Sequence, residues 1–404
     1  MAQSLLLTSA TLTDGRVVDI KIENGVVTHI ELSPSQLVAD EQHSLVGYVI
    51  ANSFVEPHAH LDKAFLADRI SNPAGDLMGA IHGLDAVRGS ITHSDIVDRA
   101  TRAAHLMSLN GVTSVRTHAD TTVTAQLQNV LALIETKQKC SSFINVQVAM
   151  LLEWPLSGEG SADRHALAKD AINAGIDVVG GCPHLDSNPR AAIDYLLELA
   201  IHNNLPLDLH ADENLRPDSI DLEYLAETMI KQNVTHQVNA SHCVSLSIRE
   251  AGDIRRISEK VAEAGITVTA LPQTNLFLQG RGQISHMPRA IVPIAELQSA
   301  GVCVAAGADN LQDPFNPVGR ADPLEISSLL VTAAHLNTNS AFNMVTSSAH
   351  HVVHGHPSSI TVGSAANLVA MKATNVRESI AMGPPDRFVV YGGVVLTEQI
   401  RNRK

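Results

Sequence analysis

The chain has 404 residues, 45% of them hydrophobic, 17% charged and 3% aromatic, which is ample for a large core and too long for one average domain. Its 42 acidic side chains outnumber the 28 basic ones and leave a formal charge of -14, a surface that repels phosphate backbones and argues against a nucleic-acid partner. Four scattered cysteines (Cys140, Cys182, Cys243 and Cys303) with no CxxC pair argue against a disulfide framework, and no apolar run is long enough to span a membrane, so a reducing, cytoplasmic setting is expected.

The opening stretch, MAQSLLLTSATLTDG, has no basic region ahead of a long apolar one, so no signal peptide is expected. The first 48 residues read as short strands and turns. In VVDIKIENGVVTHIEL, the pair Asn24-Gly25 between two β-branched runs predicts a hairpin. Eight apolar β-type runs then alternate with helical stretches: YVIANSFVEPHAH, TSVRTHAD, NVQVAML, DVVGGCP, PLDLHAD, QVNASHC, TVTALP and CVAAGAD. Most are almost continuously apolar, as parallel strands buried on both faces are. DLEYLAETMIKQ and IREAGDIRRISEKVAEAG are typical of the helical patterns between them. This alternation predicts an α/β fold of the (β/α)8 barrel class; a doubly wound open sheet competes, but no GxGxxG follows the first strand. ITVGSAANLVAMKA and RFVVYGGVVLTEQ, near the end, are again strand-like, so both termini are expected to share a small β domain.

In such a barrel, catalytic groups sit at the C-terminal ends of the strands. His58 and His60 end the first run, His118 and Asp120 the second, His242 the sixth and Asp309 the eighth, while His210, Asp212 and Glu213 end or follow the fifth. Residues i and i+2 of a strand point to the same side, so His58 and His60 can reach one ion together. With His210, His242 and Asp309 they compose a donor set for one Zn2+, Fe2+ or Mn2+ ion. Such an ion lowers the pKa of a bound water toward ~7. Glu213, three residues beyond His210, is the candidate acid-base partner.

The order and spacing of FVEPHAHLDK, VRTHAD, GIDVVGGCPHLD, DLHADE, ASHCVS, NLFLQGRG and GADNLQDPFNPVG resemble the amidohydrolase superfamily, and within it the cytosine-deaminase-like branch. The resemblance implies a distorted (β/α)8 TIM barrel over residues 49–355 and a small β-sandwich built from both chain ends, residues 1–48 and 356–404. It implies one divalent metal ion per subunit, Fe2+ or Zn2+, held by His58, His60, His210 and Asp309. Glu213 then resembles the proton shuttle, His242 the histidine that contacts the attacking water, and Asp309 both ligand and proton acceptor. The implied reaction is hydrolytic deamination, in which water activated on the ion adds to the amidine carbon of a heterocycle and ammonia leaves. The resemblance also implies a homo-oligomer and a small-molecule heterocyclic substrate.

Three departures bear on that substrate. Where cytosine deaminases carry a second aspartate after the metal aspartate, this chain has Asn310, an amide that both donates and accepts. Where the branch has a substrate-gripping glutamine, Leu152 stands. The aromatic after the Asp-Pro pair is Phe315. A pocket more apolar than that of a strict cytosine enzyme is expected, with Leu77, Leu152, Gln279, Asn310 and Phe315 as substrate contacts. The leading expectation is a deaminase of cytosine or a 5-substituted cytosine such as 5-methylcytosine. The alternative is an amidohydrolase that removes an alkylamine from an N-alkyl amino-triazine or related ring, since such branch members also carry the Asp-Asn pair. The run SAHHVVHGHP, with His350, His351, His354 and His356, follows the last barrel helix and is expected to be structural. Cys182, Cys243 and Cys303 are read as small buried hydrophobes. His118 and Asp120 are read as supporting groups or pocket wall, and His184 as wall or brace. The loop QTNLFLQGRGQISHMP is long enough to bring Asn275, Gln279 and Arg281 over a substrate.

Overall fold

The computed structural model describes residues 4–396; residues 1–3, and residues 397–404 that the sequence assigns to the small domain, lie outside it. Five strands open the chain: β1 (Ser4–Leu12), β2 (Val17–Glu23), β3 (Val26–Leu32), β4 (Glu41–Ser44) and β5 (Tyr48–Asn52). Eight follow: β6 (Phe54–Ala59), β7 (Val112–Thr121), β8 (Asn145–Leu152), β9 (Val179–Gly181), β10 (Leu207–Ala211), β11 (Val238–His242), β12 (Thr267–Ala270) and β13 (Val304–Ala306). The last described strands are β14 (Leu368–Lys372), β15 (Arg387–Tyr391) and β16 (Val394–Val395).

The two chain ends share one sheet, in the order β16-β15-β14-β5-β1-β2-β3, with β4 beside β1. Its pairs are antiparallel except where β1 runs parallel to β4 and to β5. The expected hairpin is β2–β3: Asn24 (φ 52°) and Gly25 (φ 78°) both take positive φ, as the right-handed strand twist requires of a two-residue loop.

Strands β6 to β13 pair in chain order and in parallel, and an Ala59–Asp309 bridge brings the last against the first. The eight expected runs are therefore the eight strands of a (β/α)8 barrel. Every residue of β6 and β7 is buried, because helices cover the outside and side chains fill the inside. One run divides where the sequence showed no break. YVIANSFVEPHAH changes sheets at Ser53: its N–H donates to the Asn367 carbonyl beside the terminal sheet (2.9 Å), whereas the Phe54 N–H donates to Gly111 at the base of the barrel (3.0 Å). Residues 49–52 thus pair with β14 and not with a barrel strand. Likewise, the segment expected to be a loop after β12 begins with a short helix, Pro272–Leu278, which Pro272 can start because its missing N–H has no helical partner there. No helix among the described residues is long and apolar enough to cross a membrane.

The barrel floor is closed by a charge. Arg116 of β7 is 1% exposed and points inward. Its guanidinium donates to Asp208 Oδ2 (2.8 Å), to Gln147 Oε1 (3.2 Å) and to the Val352 carbonyl (3.0 Å). The last of these lies in the final turn of the helix Ser347–His354, the end where helical carbonyls lack partners. A buried pair of this kind contributes little net stability, but removing one partner strands the other's charge. Arg116→Met should therefore lower unfolding free energy by ~3–5 kcal/mol, read as a lower urea midpoint at unchanged slope; a midpoint equal to that of the parent would show that Asp208 is not held as a charge.

Candidate active site

At the C-terminal end of the barrel three imidazoles and a carboxylate converge. His58 Nε2 lies 3.1 Å from His210 Nε2, and His210 Nε2 lies 3.2 Å from His60 Nε2. Asp309 Oδ1 is 3.3 Å from His60 Nε2 and 3.7 Å from His58 Nε2. All four residues are buried. Among the described residues neither oxygen of Asp309 has a donor within hydrogen-bond distance, and burial pushes its carboxyl up to about 6 against the opposing pull of His242, the Thr274 hydroxyl and Lys63. Burial also lowers the imidazoles, His60 to about 3, with the Lys63 ammonium adding to the effect. The rings are therefore neutral and carry lone pairs.

These donors fit one divalent ion. With the His210 proton on Nδ1, the Nε2 lone pairs of His58 and His210 face each other at 3.1 Å, an arrangement that a cation between them stabilises. A tetrahedron with metal–ligand bonds of about 2.1 Å has edges of about 3.4 Å, which is the spacing found. The tautomer of His58 is fixed from below. The Ser241 hydroxyl donates to Asp208 Oδ1 (2.9 Å) and so must accept from His58 Nδ1–H (2.9 Å), which leaves the Nε2 lone pair toward the cluster.

Backbone conformation at the strand ends turns the remaining groups inward. Asp212 (φ 52°), His242 (φ 69°) and Asp309 (φ 62°) all take the left-handed region, which non-glycine residues rarely adopt outside over-determined sites. Asp212 is held there by accepting from Asp221 N–H (2.9 Å), Leu222 N–H (3.0 Å) and the Ser219 hydroxyl (2.7 Å). It is a loop scaffold, and the next residue, Glu213, faces the cluster. Burial, then the charge of Asp309, pushes the Glu213 carboxyl well above the usual carboxylate range. Its oxygens lie 3.6 Å from His242 Nδ1 and 3.9 Å from His184 Nε2. His242 bonds Asn275 Oδ1 through Nδ1 (3.1 Å), and its Nε2 has no partner. Burial lowers it to about 4, so it is a neutral acceptor.

Above the cluster opens a cavity of about 300 Å³ whose wall includes His60, His210, Glu213, His242 and Asp309, together with Leu77, Leu152, Asn310 and Phe315. Leu77, Ile81 and Leu84 come from one face of the helix Leu77–Val87, and Leu151, Leu152 and Trp154 from the end of β8 and beyond. Gln279 is not on this wall. Its amide donates to the Glu213 carbonyl (3.1 Å) and so braces the turn that carries Glu213. Arg281 is exposed and stacks on Phe277. His184 bonds the His210 carbonyl through Nδ1 (2.9 Å) and acts as a brace, while His118 packs beneath His58 with ring centroids 4.2 Å apart. Asp120 is on the wall.

The sequence reading passed over the partners of Asp120: Lys63, which also approaches His60 Nδ1 (3.2 Å), and Arg88, which reaches Asp120 Oδ2 (3.0 Å). Lys63, Arg88 and Asp120, with Asp85 paired to Arg88 (2.9 Å), form a connected charged group in the cavity wall, and Glu153 also lines it. Lys63 stands in the quoted HLDK motif and was legible there; Arg88, far from any strand end, was not. The His350, His354 and His356 rings gather 4.4–4.9 Å apart near the opposite end of the barrel, where His354 Nε2 meets Ser114 Oγ (3.0 Å).

Known proteins resemble this chain over nearly its whole length. A pterin deaminase of Rhizobium rhizogenes is 29% identical over 95% of this chain and 88% of its own. An N-isopropylammelide isopropyl amidohydrolase of Pseudomonas sp. is 23% identical over 98% of this chain and 97% of its own. The crystal structure of a 5-methylcytosine deaminase from Klebsiella pneumoniae liganded with phosphonocytosine superposes with a TM-score of 0.89, at 26% identity, covering 97% of each chain. The amidohydrolase family model matches residues 84–397, and with the barrel and its histidine-rich end this chain belongs to that family of enzymes.

Proposed function

We propose that this protein is a metal-dependent hydrolytic deaminase of an amino-heterocycle, acting on a ring carbon that bears the amine and adjoins a ring nitrogen. The observation that carries the reading is the buried Glu213 carboxyl facing the cavity beside the four converging donors, its affinity for a proton raised by that burial. His58, His60, His210 and Asp309 would hold one divalent ion. When bound, that ion supplies Lewis-acid activation of water.

The chain's own groups then divide the proton work. Neutral His242 Nε2 accepts a hydrogen bond from the attacking water, and Asn275 keeps its ring in that tautomer. Asp309 takes one proton of the water as its oxygen bonds to the amidine carbon. Glu213 gives its proton to the adjacent ring nitrogen and recovers one from the new hydroxyl. The exocyclic nitrogen leaves as ammonia with the proton that Asp309 held. The apolar walls exclude bulk water and hold a flat ring.

The ring we favour is that of cytosine or a 5-substituted cytosine such as 5-methylcytosine. The 26% identical structural relative that acts on 5-methylcytosine supports this, as does the apolar Leu152 side of the cavity. A second reading is a bicyclic pterin. The cavity wall also carries the hydrogen-bonding groups Lys63, Asp85, Arg88 and Asp120, and a pterin deaminase is among the relatives. We place the reaction in the cytoplasm, as four unpaired cysteines suit a reducing compartment.

A panel of cytosine, 5-methylcytosine, isocytosine, pterin and an N-alkyl amino-triazine, assayed for released amine, separates these rings. Ammonia from a pyrimidine supports the favoured ring, and ammonia from pterin alone selects the second. Alkylamine from the triazine would replace both, and release of neither amine from any ring would end the deaminase reading. Purified protein should carry one equivalent of a divalent transition metal, and His210→Ala should lose it; a metal-free protein that still turns over would refute the ligand assignment. Glu213→Gln should keep its metal and fall in turnover on the order of 100-fold or more, with wild-type turnover removing Glu213 from its role.

A further inference from the structure

Glu56 precedes His58 by two residues and His60 by four, so its side chain turns to the same inner side of β6. It is buried, and the two oxygens of its carboxyl group reach two strands at once. Oε1 accepts from the His58 N–H (3.2 Å) and Oε2 from the Ala308 N–H (2.9 Å). Those strands are the first and last of the barrel, and they meet at its seam. There the Asp309 N–H donates to the His58 carbonyl (3.1 Å), but one turn lower the Val55 N–H donates to Val345, outside the barrel. The carboxylate thus stands where ladder hydrogen bonds between β6 and β13 would otherwise run. Gly307 makes the room: a Cβ there would fall 2.2 Å from Glu56 Oε1.

We propose that Glu56 is a positioning residue for the metal ion, a clasp across the seam that sets the distance between His58 and Asp309. This rests on the metal reading above, because those two residues are the ligands contributed by the two seam strands. Each clasped N–H belongs to a ligand or to its immediate neighbour, so releasing either one loosens a ligand's backbone. Glutamine keeps the shape but turns an amide nitrogen toward one of the two N–H donors, replacing a hydrogen bond by a donor–donor contact.

The test uses the full chain, stripped of metal and titrated with Co2+ alone against a chromophoric chelator, with the visible Co2+ spectrum recorded. Glu56→Gln should bind Co2+ about 10–100-fold more weakly, as loss of outer-shell support does, and should shift the Co2+ absorption bands. Gly307→Ala pushes on the same oxygen and should move both readouts in the same direction; it carries the test if Glu56→Gln does not fold. Wild-type Co2+ affinity and spectrum in a folded variant, whatever its loss of Tm, would make Glu56 a stabilising residue only and overturn the inference. A wild-type chain that takes up no Co2+ overturns the ligand reading and this inference together, so the two failures are distinguishable.

Discussion

Three imidazoles and a carboxylate from three strand ends converge at the barrel mouth, with neighbouring donor atoms 3.1–3.7 Å apart. Burying neutral imidazoles that face each other, beside a buried carboxyl group that burial pushes up to about 6, is unfavourable in itself. The fold tolerates this because eight parallel strands end on one plane, and the surrounding core over-determines where each tip points. A cation is what this arrangement is built to accept, and the other polar features of the barrel are arranged around that requirement.

Beneath the cluster the support is continuous. His58 leans on Ser241, Ser241 on Asp208, Asp208 on Arg116, and Arg116 on the carbonyls that end the last barrel helix. Each link removes a choice of tautomer or rotamer from the one above it. Beside the cluster, Glu56 ties the seam strands, Asp212 holds the turn that aims Glu213, and Gln279 secures that turn from the far side. Rigidity comes from hydrogen-bonded polar groups filling the barrel interior, while its apolar residues pack against the surrounding helices.

The cavity divides its labour by wall. Apolar side chains from the helix Leu77–Val87 and from β8 form a slot for a flat ring, and the cluster with Glu213 forms its base. Lys63, Asp120 and Arg88 compensate one another at the remaining edge, so that edge offers hydrogen bonding without a large net charge. Asn310 lines the cavity with both ends of its amide engaged, the nitrogen donating to Asp313 Oδ2 (2.8 Å) and the oxygen accepting from the Thr274 hydroxyl (3.4 Å).

Barrel class and strand order were legible in the chain itself, and so was the gathering of polar residues at the strand ends. Parallel strands buried on both faces read as apolar runs, and a polar residue at the end of such a run stands out against them. His58, His60, His210, Glu213, His242 and Asp309 are all of this kind. Less visible were groups whose role depends on what lies across the barrel. Glu56 sits within the quoted motif, but only the seam gives its carboxylate two donors. Arg88 has no strand-end signature, and only Asp120 draws it to the cavity. Gln279 seemed to aim at a ligand until the Glu213 carbonyl took its amide. The break at Ser53 was hidden because strands of both sheets are apolar, and the change of partner from Asn367 to Gly111 is a long-range hydrogen-bond choice. Local pattern thus determined which residues could do chemistry; tertiary packing decided which of them face one another, because hydrogen-bond partners far apart in sequence leave no periodicity to read.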